Sequence, residues 1–150
     1  MRGTVIVLGL VLLAGVARAQ GPAPAAAPAA APVTALDFEY FRTRVQPILL
    51  HKRENLARCY VCHSQGTPLV IEQMSPGATA WNEEQSRKNF EVIRRVVVIG
   101  NPMRSRLLTM PLAEEAGGIS FHPGGKHWTS TSDPEFRVLA AWVNGAKAGS

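Results

Sequence analysis

Cys59, Cys62 and His63 lie in a Cys-Tyr-Val-Cys-His run, and its two cysteines are the only ones in the 150-residue chain. Two thiols three residues apart, followed directly by an imidazole, restrict the chemistry of this chain more than any other feature does. Four kinds of site use a C-x-x-C pair: a zinc site, a thioredoxin-like redox site, a local disulfide, and covalent haem attachment. Only the last of these gives all three residues a role.

The other three kinds of site fit this sequence less well. A zinc site usually needs a second pair of ligands, and His51 and His63 do not form one at metal spacing. A thioredoxin-like site belongs to a βαβ pattern, which is missing here, and a disulfide across three residues closes too small a loop to stabilise much. The sequence therefore predicts one covalent haem c, bound through Cys59 and Cys62 to its vinyl groups, with His63 as the proximal iron ligand.

The first 19 residues have the features of a secretory signal peptide. Arg2 supplies a positive charge, the uncharged apolar run 4–16 follows, and Ala-Arg-Ala at 17–19 matches a cleavage site. The apolar run is shorter than the roughly 20 residues that span a bilayer, so cleavage is expected rather than an uncleaved anchor. We therefore expect a periplasmic or secreted protein without a stable membrane span. Bacterial haem attachment also takes place outside the cytoplasm.

Residues 20–35 are almost entirely proline and alanine, with nothing large to bury. This composition predicts a semi-rigid linker rather than a domain, although a frayed terminus without a role has the same composition. The remaining residues, 36–150, are enough for one domain with a modest core. A covalently bound prosthetic group would add apolar surface to that core.

The net charge is too small to indicate a nucleic-acid partner. The chain has 16 Lys and Arg against 11 Asp and Glu, for a formal charge of +5. Loss of Arg2 and Arg18 with the signal leaves 14 basic residues, and hence a charge of +3. This mild charge is compatible with transient docking to an acidic redox partner protein.

The predicted domain is all-α, with helices over 36–50, 82–98 and 103–108 and a last helix from Pro134 to about Gly145. Asn82 with Gln85 forms a capping box, and Asp133 is a predicted N-cap. Pro47 is expected to kink or break the first helix. Apolar residues at helical spacing give the first and last helices one apolar face each: Phe41 and Val45, and Leu139, Trp142 and Val143.

The sixth iron ligand has several candidates downstream of the motif. They are Met74, Met103, Met110, His122 and His127. Met110 is the preferred candidate, because it lies 47 residues after His63 at the head of a loop whose turn Pro111 fixes. A methionine that fills a gap in the core is the alternative for Met110, and His122 is its main rival as distal ligand.

Many stretches of the chain resemble the planctomycete and acidobacterial type of mono-haem cytochrome c domain, over about residues 36–148. They are 41–49, with Val-Gln-Pro-Ile-Leu at 45–49; 57–63, with the motif; 84–90; 100–103, Gly-Asn-Pro-Met; 105–108, Ser-Arg-Leu-Leu; 111–113; 116–118; 121–122, Phe-His; 124–127, Gly-Gly-Lys-His; and 139–143, Leu-Ala-Ala-Trp-Val.

The resemblance implies a cytochrome c-like fold, in which the N-terminal and C-terminal helices cross over one haem. Domains of this type often carry histidine where this chain has Met110, and this favours an iron ligand at that position over a core methionine. Because the residue here is methionine, the low potential of a bis-histidine haem cannot be transferred to this chain. Electron transfer is implied only as the default function of the family.

The sequence leaves three functions open. The first is a non-enzymatic electron carrier, free or as a subunit of a respiratory complex. The second is a haem-based small-ligand sensor with an open or displaceable sixth site, and the third is a haem-free thiol-disulfide protein. Residues that could bind the haem propionates are Arg104, Arg106, Lys126, His127 and Trp128.

Overall fold

The computed structural model describes residues 35–149 of the chain. The predicted signal peptide, 1–19, and all but the last residue of the predicted linker, 20–35, lie outside this range. Inside it the regular secondary structure is helical, and the backbone forms only an isolated bridge between Leu112 and Trp128 instead of a strand. The prediction of an all-α domain is thus confirmed for these residues. None of the helices in this part of the chain is long and apolar enough to cross a membrane.

The first helix, α1, spans residues 38–50 and contains a π-helical turn. Its segments are Phe38–Tyr40 (α), Phe41–Val45 (π) and Gln46–Leu50 (α). In the π segment, the Gln46 N–H donates to the carbonyl of Phe41, five residues back. Pro47 has no N–H for the carbonyl four residues before it, and its ring crowds that carbonyl. The widened turn therefore lies before Pro47, and the helix continues through the proline instead of breaking there.

Four further helices follow, with short 3-10 turns between them. They are α2 (Cys59–His63), α3 (Glu83–Ile93), α4 (Arg106–Thr109) and α5 (Pro134–Val143), and the 3-10 turns are Arg94–Val96, Pro102–Arg104 and Glu114–Ala116.

The capping residues predicted from the sequence are confirmed. Asn82 and Gln85 form a reciprocal capping box at α3, and the Asp133 side chain accepts the N–H groups of Glu135 and Phe136 at the start of α5. Gly145 follows α5 with a φ of +89°, a left-handed conformation that glycine adopts at little cost. The predicted helix over 82–98 is shorter in the structure, since the 3-10 turn ends it at Val96.

The N-terminal and C-terminal helices pack against each other. Phe41 of α1 and Trp142 of α5 are both fully buried, and their ring centres lie 5.4 Å apart. The Trp142 indole N–H donates to the carbonyl of Asp37 at 2.8 Å, so a polar group of a buried side chain is satisfied at the start of α1. This contact joins the first and last helices of the described residues.

Replacing Trp142 with alanine should destabilise the domain strongly. The change removes the largest fully buried side chain, and truncations of this kind cost about 3–5 kcal/mol of unfolding free energy. Urea denaturation followed by circular dichroism measures the change. Phe121→Ala is the matched control, because that ring is 72% exposed and should change stability by less than about 0.5 kcal/mol. Equal losses in the two variants would contradict the packing described here.

Candidate functional site

The described domain contains a cavity of about 650 Å³. It is enclosed by α2, the segment after α3, α4 and the loop over 122–128. Most of its walls are apolar, and several lining residues belong at the same time to the hydrophobic core: Leu49, Ile71, Ile93, Trp128 and Leu139. The cavity is therefore continuous with the core and is not a separate surface groove.

Cys59, Cys62 and His63 all line this cavity. They occupy positions one, four and five of α2, so a single helical turn places them on the same side of the helix. Cys59 is half-buried, Cys62 is exposed, and both are free thiols. The structure thus brings together the three residues that the motif singled out, with two nucleophilic sulfurs and an imidazole facing one apolar space.

The His63 imidazole is held in a defined tautomer. Its Nδ1 lies 2.8 Å from the carbonyl oxygen of Leu69, and since a carbonyl can only accept, Nδ1 carries the proton. The Thr67 hydroxyl also donates to the Leu69 carbonyl, at 2.7 Å. The lone pair of His63 is therefore on Nε2, which is the arrangement found when a carbonyl orients a metal-binding histidine.

The Cys59 thiol is not activated as a nucleophile. Burial raises the pKa of this thiol, and the nearby charge of Arg53 offsets the increase only in part. Thiol-disulfide enzymes instead lower the pKa of their attacking cysteine, so that the thiolate is present at neutral pH. This environment favours a structural or covalently linked cysteine over the thiol-disulfide alternative.

Three of the five candidate distal ligands line the cavity: Met110, His122 and His127. Met74 packs against the core instead, with its backbone N–H donating to the Tyr60 hydroxyl, and Met103 is 43% exposed. The Met110 sulfur lies 3.8 Å from an Arg106 guanidinium nitrogen, within reach of a weak hydrogen bond. Its placement at the cavity wall is compatible with the predicted ligand role and equally with a packing role.

The two histidines of the loop differ in the role of Nδ1, which donates a hydrogen bond in His122 and accepts one in His127. His122 donates Nδ1–H to the carbonyl of Gly125 at 2.6 Å, which leaves the lone pair on Nε2. In His127, Nδ1 accepts from the Arg53 guanidinium at 3.2 Å. Burial, with the positive charge of Arg53 as a further cause, lowers the pKa of His127 to about 4, so this ring is neutral at neutral pH.

The arginine side chains that line the cavity give it a positive charge. Its lining includes four arginines and no carboxylate: Arg58, Arg95, Arg104 and Arg106. Two of the propionate-binding candidates are already engaged, since the Lys126 ammonium donates to the carbonyls of Met110 and Ile119 and the Trp128 indole donates to Glu135. Arg58 and Arg95 were not among the propionate-binding residues predicted from the sequence, although Arg58 directly precedes the motif.

These features fit a haem. A flat apolar ring with two carboxylates needs a large apolar space, cations at its edge and an imidazole lone pair for its iron, and the cavity provides each of them. The two thiols on the same wall suit covalent attachment. Within the described residues no three His, Cys, Asp or Glu side chains converge as a closed metal-ion site would require.

Comparison with protein-family models, with curated proteins and with solved structures gives no match for this chain. The interpretation of the site therefore depends on the residues described above.

A charged network fastens the segment before α2 to α5. The Arg53 guanidinium forms an ion pair with Glu135 and lies over the Trp128 ring, 5.7 Å from its centre. His51 also contacts the Glu135 carboxylate. Burial acts to raise the pKa of Glu135, but the hydrogen bonds from His51, Arg53 and Trp128 and the charge of Arg53 outweigh it, so the pKa is lowered. This network fixes the chain that leads into the cysteine motif.

Glu135→Gln should lower the unfolding free energy by about 1–2 kcal/mol at neutral pH, since it removes charge-assisted hydrogen bonds at a partly exposed site. Because the pKa of Glu135 is lower in the folded state, its contribution is present above the ordinary pKa of glutamate and is lost as the pH falls through the folded value. The difference between wild type and variant should therefore shrink in acid, as urea titrations at several pH values would measure.

The matched control for this variant is Glu91→Gln. Glu91 pairs with Arg94, and both side chains are 55% exposed, so the loss should be small at every pH. A loss in Glu135→Gln that stayed constant from neutral to acidic pH would refute the role assigned to the ionised carboxylate.

Proposed function

We propose that this chain is an exported mono-haem c-type cytochrome with a cytochrome c-like fold, which transfers electrons. One observation carries the proposal: the Cys-x-x-Cys-His turn of α2 faces an apolar cavity lined by arginines. The packing of the first helix against the last at Phe41 and Trp142 supports the fold that the resemblance implies. The sequence of residues 1–19 supports export to the compartment in which haem c is attached.

Each residue of the motif has a defined part. Cys59 and Cys62 would each form a thioether by adding their S–H across a haem vinyl group, a step that releases no leaving group. His63 would bind the iron through Nε2, and its hydrogen bond to the Leu69 carbonyl fixes the ring and makes that nitrogen a stronger donor. When bound, the haem supplies an iron that alternates between the ferric and ferrous states.

The exposure of the site favours exchange of electrons with another protein. Cys62 is exposed, so a haem edge bound to it would lie near the surface, where a redox partner can approach. The arginines around the cavity would attract an acidic partner and accelerate the encounter.

Expression of the full chain in a bacterial host with a haem c maturation system should yield protein whose mass is increased by one haem. The pigment should withstand acid–acetone extraction, because thioether bonds do not hydrolyse. In the double variant Cys59→Ala/Cys62→Ala the attachment should be lost, whereas His51→Ala should keep it, since His51 lies outside the cavity lining.

Function is tested on the same material by voltammetry and by mixing with reduced periplasmic electron donors. A reversible one-electron couple with rapid exchange supports electron transfer. Rapid binding of CO by the ferrous protein, without prior loss of a ligand, would instead support the sensor. Colourless protein of unmodified mass would contradict the haem, and would leave the thiol-disulfide alternative.

A further inference from the structure

We infer that His122 and His63 bind the same iron, so that the sixth ligand is a histidine and not Met110. This inference rests on the haem proposed above. The ring centres of His63 and His122 lie 6.4 Å apart, and their planes differ by 17°. Both side chains line the cavity, one from α2 and the other from the loop that follows α4.

The separation matches two imidazoles that share one metal ion. A metal–imidazole bond is about 2 Å long, as it is for zinc, and a ring nitrogen lies about 1 Å from the ring centre, so two such rings have centres about 6 Å apart. Two imidazoles bonded along one axis can take any angle about that axis, and the small angle of 17° between these rings is among those allowed. The 6.4 Å between the two ring centres is therefore close to the separation that a shared iron requires.

The hydrogen bonds of the two rings are equivalent. Nδ1 of His63 donates to the Leu69 carbonyl and Nδ1 of His122 donates to the Gly125 carbonyl. Each ring consequently keeps its lone pair on Nε2, and each is oriented by a backbone acceptor, as metal-binding histidines usually are. His127 differs, because Arg53 occupies its Nδ1, and its lone pair is therefore not available to a metal.

The loop around His122 is built to hold the ring in place. A Cβ at position 124 would lie only 3.0 Å from Cε1 of His122, so Gly124 leaves the room that the ring occupies. Gly125 has a φ of +83°, and its N–H donates to the His122 carbonyl at 2.9 Å. Lys126 ties the loop to the carbonyls of Met110 and Ile119.

Met110 has no comparable support. Its side chain lines the cavity, but its only hydrogen-bonding contact within the described part of the chain is with Arg106 at 3.8 Å. Its carbonyl, by contrast, is one of the two acceptors of Lys126. Met110 thus helps to position the loop that carries His122, and its side chain packs against the wall of the cavity.

The test uses holoprotein purified from the maturation-competent host. The wild type should show the low-spin spectrum of two nitrogen ligands and should lack the near-infrared charge-transfer band of methionine–iron bonding. Because this measurement needs no variant, it separates the two ligands even if a variant does not fold. A methionine charge-transfer band in the wild type would overturn the inference.

Three variants extend the test. His122→Ala should convert the ferric haem to high spin, and added imidazole should restore the low-spin spectrum. Met110→Leu should keep the wild-type spectrum, whereas a high-spin Met110→Leu protein would overturn the inference. Gly124→Ala should perturb the low-spin signal in electron paramagnetic resonance, because its methyl group presses on the His122 ring.

Kinetics of CO binding give an independent readout. In the wild type the rate should saturate with CO concentration, because His122 must leave first, and in His122→Ala the saturation should disappear. If haem is attached but His122→Ala retains the wild-type spectrum and saturation, the inference fails while the proposed function stands. If no haem is attached at all, the proposed function itself fails.

Discussion

The apolar cavity of this domain shares lining residues with the hydrophobic core, so the group that occupies the cavity decides how completely the core is packed. Protein interiors are close-packed. Residues of the core such as Leu49, Ile93 and Leu139 also line the cavity. A flat apolar group bound there would complete the core as well as supply the chemistry.

Covalent attachment suits a domain in which the cofactor is part of the core. A noncovalent group would leave whenever the small core opened, whereas two bonds to α2 would keep it at high local concentration throughout each opening. The turn that would carry these bonds is itself held by contacts before and after it. Arg53 ties the preceding segment to Glu135 of α5, and the Ile71 N–H donates to the carbonyl of His63 behind it.

Local features of this fold could be predicted from the sequence, and features set by distant contacts could not. The caps at Asn82 and Asp133 depend on neighbouring backbone groups, so they were predictable. The π turn before Pro47 was not, because the sequence shows where a proline disturbs a helix but not how the helix adapts. The place of Met110 and His122 at the cavity depends on Lys126 and on long-range bonds of the loop, and spacing along the chain contains no information on these.

Two opposing effects would act on the potential of a haem held in this way. A second imidazole stabilises ferric iron relative to a thioether and lowers the potential. The arginines at the cavity favour the reduced state, since a unit charge about 8 Å away contributes about 2 kcal/mol at an effective dielectric of 20 and about a quarter of that in water. The exposure of all four arginines of the cavity lining places the contribution of each near the lower value, and pairing with propionates would reduce it further. The axial ligand would therefore be the larger effect, since axial ligands set haem potentials over a range of about 0.8 V.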